Sequence, residues 1–247
     1  MKTSHILILV FVVSIIGFIF YSLSGGISDK EYAQSIQRER EVKDAFMKND
    51  SGSPFRSVRK QTEEQTQTEE QTQAEERIQT EGKTQTSGNT LVMGEDADST
   101  EVIEPLKYFP ADLKYRLVAN LESITNKKII LLHTSDGKEQ NYLEYAYAIF
   151  KFDDVECKLL LLEIMDMGPQ RGKLFLAFAD ATSAIESYGA GRYLDIKKVP
   201  GASSITLDFN QAYNPYCAYS DIFSCPFPPK ENILKIAIEA GEKSYHE

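Results

Sequence analysis

Between Tyr115 and Ile238 the sequence breaks into eight short runs rich in β-branched and aromatic residues, at 115–121, 128–134, 141–152, 156–164, 173–179, 192–196, 204–209 and 233–238. Turn residues such as Ser135-Asp136-Gly137 bound them, and no stretch with the apolar period of a helix lies between them. Strands spaced roughly 8–12 residues apart, without intervening helices, fold as antiparallel sheets. The expectation is a mainly β domain over residues 105–247, an antiparallel β barrel or sandwich. About 140 residues suffice to bury a sizeable core.

The preceding segments cannot join that core on the same terms. A hexad repeat, QTEEQT, QTEEQT, QAEERI, QTEGKT, runs from Gln61 to Thr84, and no aromatic residue occurs between Phe55 and Tyr108. A period of six fits neither a heptad nor a helix face. Too little apolar surface is available to offset the entropy of ordering the chain. Residues 56–104 therefore read as a disordered acidic tether. Residues 61–104 hold 12 acidic and 2 basic side chains, so they account for the whole formal charge of −10. The domain beyond has 19 acidic and 16 basic residues, near balance. This distribution excludes a basic nucleic-acid-binding protein.

Residues 6–23, ILILVFVVSIIGFIFYSL, carry no charge and reach the lower length for a spanning helix. They read as a membrane anchor or as the core of a cleaved signal within residues 1–26. The length favours the anchor. Lys2 stands on one side, with Lys30, Arg38, Arg40 and Lys43 on the other, so counting cations does not fix orientation. In residues 27–55, Ser28-Asp29-Lys30-Glu31 fits a capping box. A partial apolar stripe follows, Tyr32, Ile36, Val42 and Phe46, broken by the charged run Arg38-Glu39-Arg40-Glu41. An amphipathic helix to about Lys48 is expected, either a stalk or a helix docking Tyr32 and Phe46 on the domain.

Catalytic signals are sparse. His5 and His246 lie near the termini, and His133 sits in an expected strand, so histidine catalysis and zinc-type spacing have little to build on. No metal is expected and no cofactor is indicated. Cys157 falls among apolar neighbours. Cys217 and Cys225 lie in a loop-rich stretch, where a disulfide is plausible if the domain is exported. Gly189-Ala190-Gly191-Arg192 reads either as an anion-cradling loop with a forked arginine or as a plain glycine turn. In 208–215, Asp208 and Asn210 suit turns by bonding their own backbone, or they could bind a metal or a sugar hydroxyl.

Several motifs resemble the domain of unknown function 1684 family: ESYGAGRYLD, LDFNQAYNPYCAYSDIFSCPFPPKEN, IEAGEK, LKYFPADLKYR, TSDG, FLAFADATS and the run from Arg38 to Phe55. The resemblance implies a bacterial protein, often exported or membrane-attached, with no assigned activity. It carries over the polar positions Tyr188, Gly191, Arg192, Asp208, Asn210, Tyr213, Asn214, Cys217, Cys225, Glu231, Asn232 and Glu242. The chain departs from the pattern at Thr182-Ser183-Ala184, where the family reads T-S-G. The alanine suggests that this position needs no positive φ.

Three functional readings follow. The first is a binding or scaffold module of the cell envelope, membrane-anchored through residues 6–23, with an extracytoplasmic domain and a small-molecule or envelope ligand. The alternative is an envelope hydrolase using a carboxylate and amide cluster near Arg192, Asp208 and Asn214, with Asp195, Glu231 or Glu242 in acid–base roles if two carboxylates converge. The third is structural, a polar plug closing one end of the barrel. Burial discriminates among them: a shared open pocket favours ligand chemistry, and mutual buried bonding favours the plug.

Overall fold

The computed structural model describes residues 27–55 and 104–246. The apolar run at 6–23 and nearly all of the expected tether lie outside them. Among the described residues no helix is long and apolar enough to cross a membrane.

Helix α1 (Asp29–Asn49) starts as its sequence dictates. The Ser28 side chain accepts from the Glu31 amide, and Glu31 returns a bond to the Ser28 amide, so the reciprocal capping box is present. At the far end the Asp50 amide bonds the Phe46 carbonyl, and Ser51-Gly52-Ser53 turns the chain away. The helix docks on the domain, as one of the two expectations had it, but on a different stripe. Tyr32, Ile36 and Met47 are buried, whereas Val42 is 71% exposed and Phe46 37%. Phe46 lies at the edge of the docked face rather than on it. The true stripe runs Tyr32, Ile36, Arg40, Lys43, Met47, at helical spacing of three and four, and two of its members are cations.

Seven antiparallel strands follow: β1 (Arg116–Ser123), β2 (Ile129–His133), β3 (Glu139–Phe152), β4 (Val155–Ile164), β5 (Leu174–Phe178), β6 (Arg192–Ile196) and β7 (Ser204–Asp208). They form one curled half-barrel sheet in the order β6-β5-β4-β3-β1-β7, with β2 paired to β3 off that path. The long β3 is shared: its first half pairs with β2 and its second half with β1. A register shift between Glu144 and Ala146 bends it there. The end strands β6 and β7 approach each other without a ladder between them.

Leu159, Leu160, Leu161 and Leu162 are all buried, which breaks the alternation expected of a half-solvated strand. Leu159 and Leu161 face the inner core with Phe150, Leu176, Phe178, Leu207 and Phe209. Leu160 and Leu162 face an outer core with Phe175, Tyr193 and Cys225, roofed by the loop that carries Tyr213, Tyr216 and Phe223. The expected eighth strand at 233–238 does not form. Ile233 makes only an isolated parallel bridge to Ala179, and the segment then sends Leu234 and Ile238 into the inner core as a plug. Its apolar pattern reflected burial inside the curl, not membership of the ladder.

If α1 is part of the fold, Ile36→Ala should destabilise the whole unit by about 2–4 kcal/mol in urea. Helix and sheet should lose structure in one transition. A helix acting only as a stalk would leave the sheet's midpoint unmoved.

Candidate functional site

The family-matched polar residues divide into a buried frame and a groove. Arg192, the second residue after Gly189-Ala190, is 0% exposed. Its Nη2 donates to Asp180 Oδ2 at 2.7 Å and to the Ile238 carbonyl at 2.8 Å. Its Nη1 donates to the Ala240 carbonyl and, at 3.2 Å, to that of Glu242. The guanidinium also lies against the rings of Phe109 and Phe178. Both terminal nitrogens are spent inside the fold, with Nε buried and unpartnered among the described residues, so Arg192 does not stand in an anion-cradling loop. Gly191 is a close-approach glycine as well: with φ +92°, a Cβ there would lie 2.6 Å from the Phe178 carbonyl oxygen.

Other members close the frame. Asn232 is fully buried and accepts from the Leu160 amide while donating to the Leu160 and Ala177 carbonyls. The β4–β5 ladder pairs only Leu162 with Phe175 and Glu163 with Leu174, so the side-chain amide occupies the gap where the two strands part. Asn210 exchanges two bonds with the Asp112 backbone, at 2.9 and 2.8 Å. Asn214 donates from Nδ2 to the Lys243 carbonyl. Asp208 accepts the Tyr32 hydroxyl at 2.6 Å and sits 3.7 Å from Arg116 Nε, so it ties α1 to the sheet. Glu231 is exposed in a short 3₁₀ turn, apart from the rest. His133 is an exposed strand residue beside Glu139. Arg192, Asp208 and Asn214 thus share no cleft, and the polar-plug reading accounts for them.

One expectation reverses. Ala184 has φ +64°, in the left-handed region where glycine is favoured. The family's glycine there is conformational, and the alanine tolerates the turn at a cost. The Asp180 carboxylate, bonded to the amide and hydroxyl of Thr182, holds the turn and keeps it strained.

The groove forms where α1 crosses this frame. One hollow, of about 390 Å³, is lined by Ile36, Arg40, Lys43, Tyr108, Leu194 and Tyr213, with Asp195 and Glu242. A second, of about 480 Å³, adjoins it across Lys43, Asp195 and Tyr213 and is walled by Phe46, Tyr193, Tyr216, Phe223 and Pro226. Tyr213 stands at the waist, its hydroxyl donating to Asp195 Oδ1 at 2.9 Å. Burial and that carboxylate raise the phenol's pKa above its ordinary value.

The floor is Glu242, 1% exposed. Its Oε2 accepts from the Asn214 amide at 2.8 Å and the Tyr219 hydroxyl at 2.6 Å, while its Oε1 is paired with Lys43 Nζ. Lys43 also lies 4.6 Å from the Tyr213 ring centre. Arg40 packs over Tyr108 at 4.6 Å, and its Nε and Nη2 are buried without a partner among the described residues. Burial lowers its pKa from the ordinary arginine value. Each unmet buried donor costs about 1–3 kcal/mol, so this guanidinium is poised for an acceptor.

Sequence reasoning found Tyr213 and Glu242 but missed Arg40 and Lys43. Their signal was present as cations at the fourth and seventh positions after Ile36, inside the stripe that should have been apolar.

The chain matches the family described as "Protein of unknown function (DUF1684)" over residues 101–243. A solution NMR structure of an uncharacterised protein from gene locus rrnAC0354 of Haloarcula marismortui is 29% identical, with a TM-score of 0.54, and the match covers 88% of this chain and 97% of that one. No curated protein matches.

Two substitutions test the frame. Arg192→Lys should cost about 3–5 kcal/mol in chemical unfolding, since an ammonium cannot replace a fork that serves four acceptors. Ala184→Gly should raise stability by about 0.5–1 kcal/mol, the left-handed strain relieved exceeding the entropy that glycine adds to the unfolded chain.

Proposed function

The chain belongs to the DUF1684 family, whose members are proteins of unknown function, and from that premise we propose that it is a ligand-binding module of the cell envelope. The ligand lies in the two-lobed groove beneath α1. Arg40 carries the reading: a cation whose buried Nε and Nη2 have no partner among the described residues lines one lobe, and an aromatic wall lines the next. A carboxylate or phosphate head group fits Arg40, and an apolar body fits the Phe46, Tyr216 and Phe223 lobe. The ligand class is therefore a small amphipathic anion.

Anchoring through residues 6–23, with the acidic repeat as a spacer and the domain outside the membrane, remains part of this proposal. Its support is the uncharged 18-residue run and the repeat composition. Catalysis gains no support from the groove. Its carboxylates are engaged, Asp195 by Tyr213, Glu39 by the Gln211 side-chain amide, and Glu242 by Lys43, Tyr219 and the Asn214 amide.

The test is a thermal-shift and calorimetric comparison of alkyl phosphates and fatty acids with the matching neutral alcohols, on the full chain. The anions should raise the melting temperature and the alcohols should not. Arg40→Gln should weaken anion binding about tenfold or more while leaving the ligand-free melting temperature nearly unchanged. Equal shifts from the alcohols, or unchanged affinity in the variant, would overturn the assignment.

A further inference from the structure

Cys217 and Cys225 sit together in the roof over the outer core, and although Cys225 lines the second hollow, the ligand reading gives neither thiol a chemical role. The Cys217 amide donates to Cys225 Sγ at 3.2 Å. The Tyr188 hydroxyl lies 3.8 Å from Cys217 Sγ. Ser135 accepts from the Cys225 amide at 3.1 Å and donates to the Phe223 carbonyl. Two sulfurs, two hydroxyls and a backbone amide thus converge on one spot. Neither thiol is bonded to the other here.

Such a cluster favours a single shared negative charge. The neighbouring Cys225 thiol and the Tyr188 hydroxyl hold Cys217 below the ordinary thiol range. Cys225, giving that bond and more deeply buried, is pushed up. Cys217 is half-buried and Cys225 only 7% exposed, so an external reagent reaches Cys217 first. Cys157 supplies an internal contrast: it is buried in the inner core, and burial alone raises its pKa.

The geometry points to a peroxide-reactive thiol pair in which Cys217 attacks and Cys225 resolves. The Cys217 thiolate attacks the terminal oxygen of a hydroperoxide. An S–O bond forms, the O–O bond breaks, and the alkoxide leaves as the alcohol after taking a proton. The Cys225 sulfur, giving up its proton, then attacks the sulfenic sulfur. The S–S bond forms and hydroxide departs as water. Two thiols and one hydroperoxide become one disulfide, one alcohol and one water, a two-electron oxidation that an external dithiol reverses. The inference stands independently of the ligand.

Stoichiometric hydrogen peroxide, added to the reduced full chain at neutral pH, tests it. Peptide mass mapping should find a Cys217–Cys225 disulfide, with Cys157 still a thiol and oxidised at least about tenfold more slowly. Cys225→Ser should instead accumulate a dimedone-reactive sulfenic acid on Cys217. Tyr188→Phe should shift the pH profile of Cys217 alkylation upward. Circular dichroism of each variant verifies that it is folded. Oxidation of Cys157 as fast as Cys217, or no disulfide in the folded wild-type chain, would overturn the proposal. These readouts use no groove ligand, so their failure would leave the binding reading standing.

Discussion

The Arg192 guanidinium organises this molecule. A buried arginine must satisfy its donors or destabilise the fold, and here Asp180 supplies charge while three carbonyls of the C-terminal segment supply acceptors. The segment from Ile238 to Glu242 is thereby drawn across the mouth of the half-barrel. Gly241 allows it: with φ +77°, any Cβ there would fall 2.5 Å from the Ala212 carbonyl oxygen. Glu242 then arrives at a fixed depth, where the Asn214 amide and Tyr219 hydroxyl hold one oxygen.

From that point the construction passes to the helix. Glu242 presents its other oxygen to Lys43, and Asp208 accepts Tyr32, so α1 is held at two places along its buried stripe. Arg40 falls between them, stacked on Tyr108 but without a hydrogen-bond acceptor among the described residues. Most of the frame's polar atoms are engaged, with Arg192 Nε and Asn214 Oδ1 left over, whereas the Arg40 guanidinium has no hydrogen-bond acceptor among the described residues. That contrast separates polar residues that maintain the fold from those free to meet a ligand. It also explains why most family-matched polar positions are structural: a curled sheet that does not close needs side-chain amides such as Asn232 to satisfy backbone groups at its gaps.

The loop from Tyr213 to Pro226 serves two ends at once. Its aromatic residues cover the outer face of β4, β5 and β6, which turns a leucine run into a second core. The same residues wall the second hollow of the groove and bring the two thiols together. Packing of that loop therefore couples the stability of the sheet to the shape of the groove.

The sequence alone determined the local elements, because their signals are local. Ser28 and Glu31 specify a helix start three residues apart, and alternation around Ala119 and through 141–152 specifies strands. It also placed Cys157 among apolar neighbours, and Cys157 is buried in the inner core. Tertiary structure decided what those polar residues do. Arg192 beside two glycines looks identical in sequence whether its fork meets a ligand or three carbonyls nearly fifty residues away. Ala184 reads as an ordinary residue until the Asp180 turn forces its backbone left-handed. Arg40 and Lys43 read as an interruption of an apolar stripe until Glu242 and Tyr108 meet them. The reason is physical: propensity and periodicity are fixed by neighbours a few residues apart, whereas the satisfaction of a buried charge is fixed only when distant segments pack.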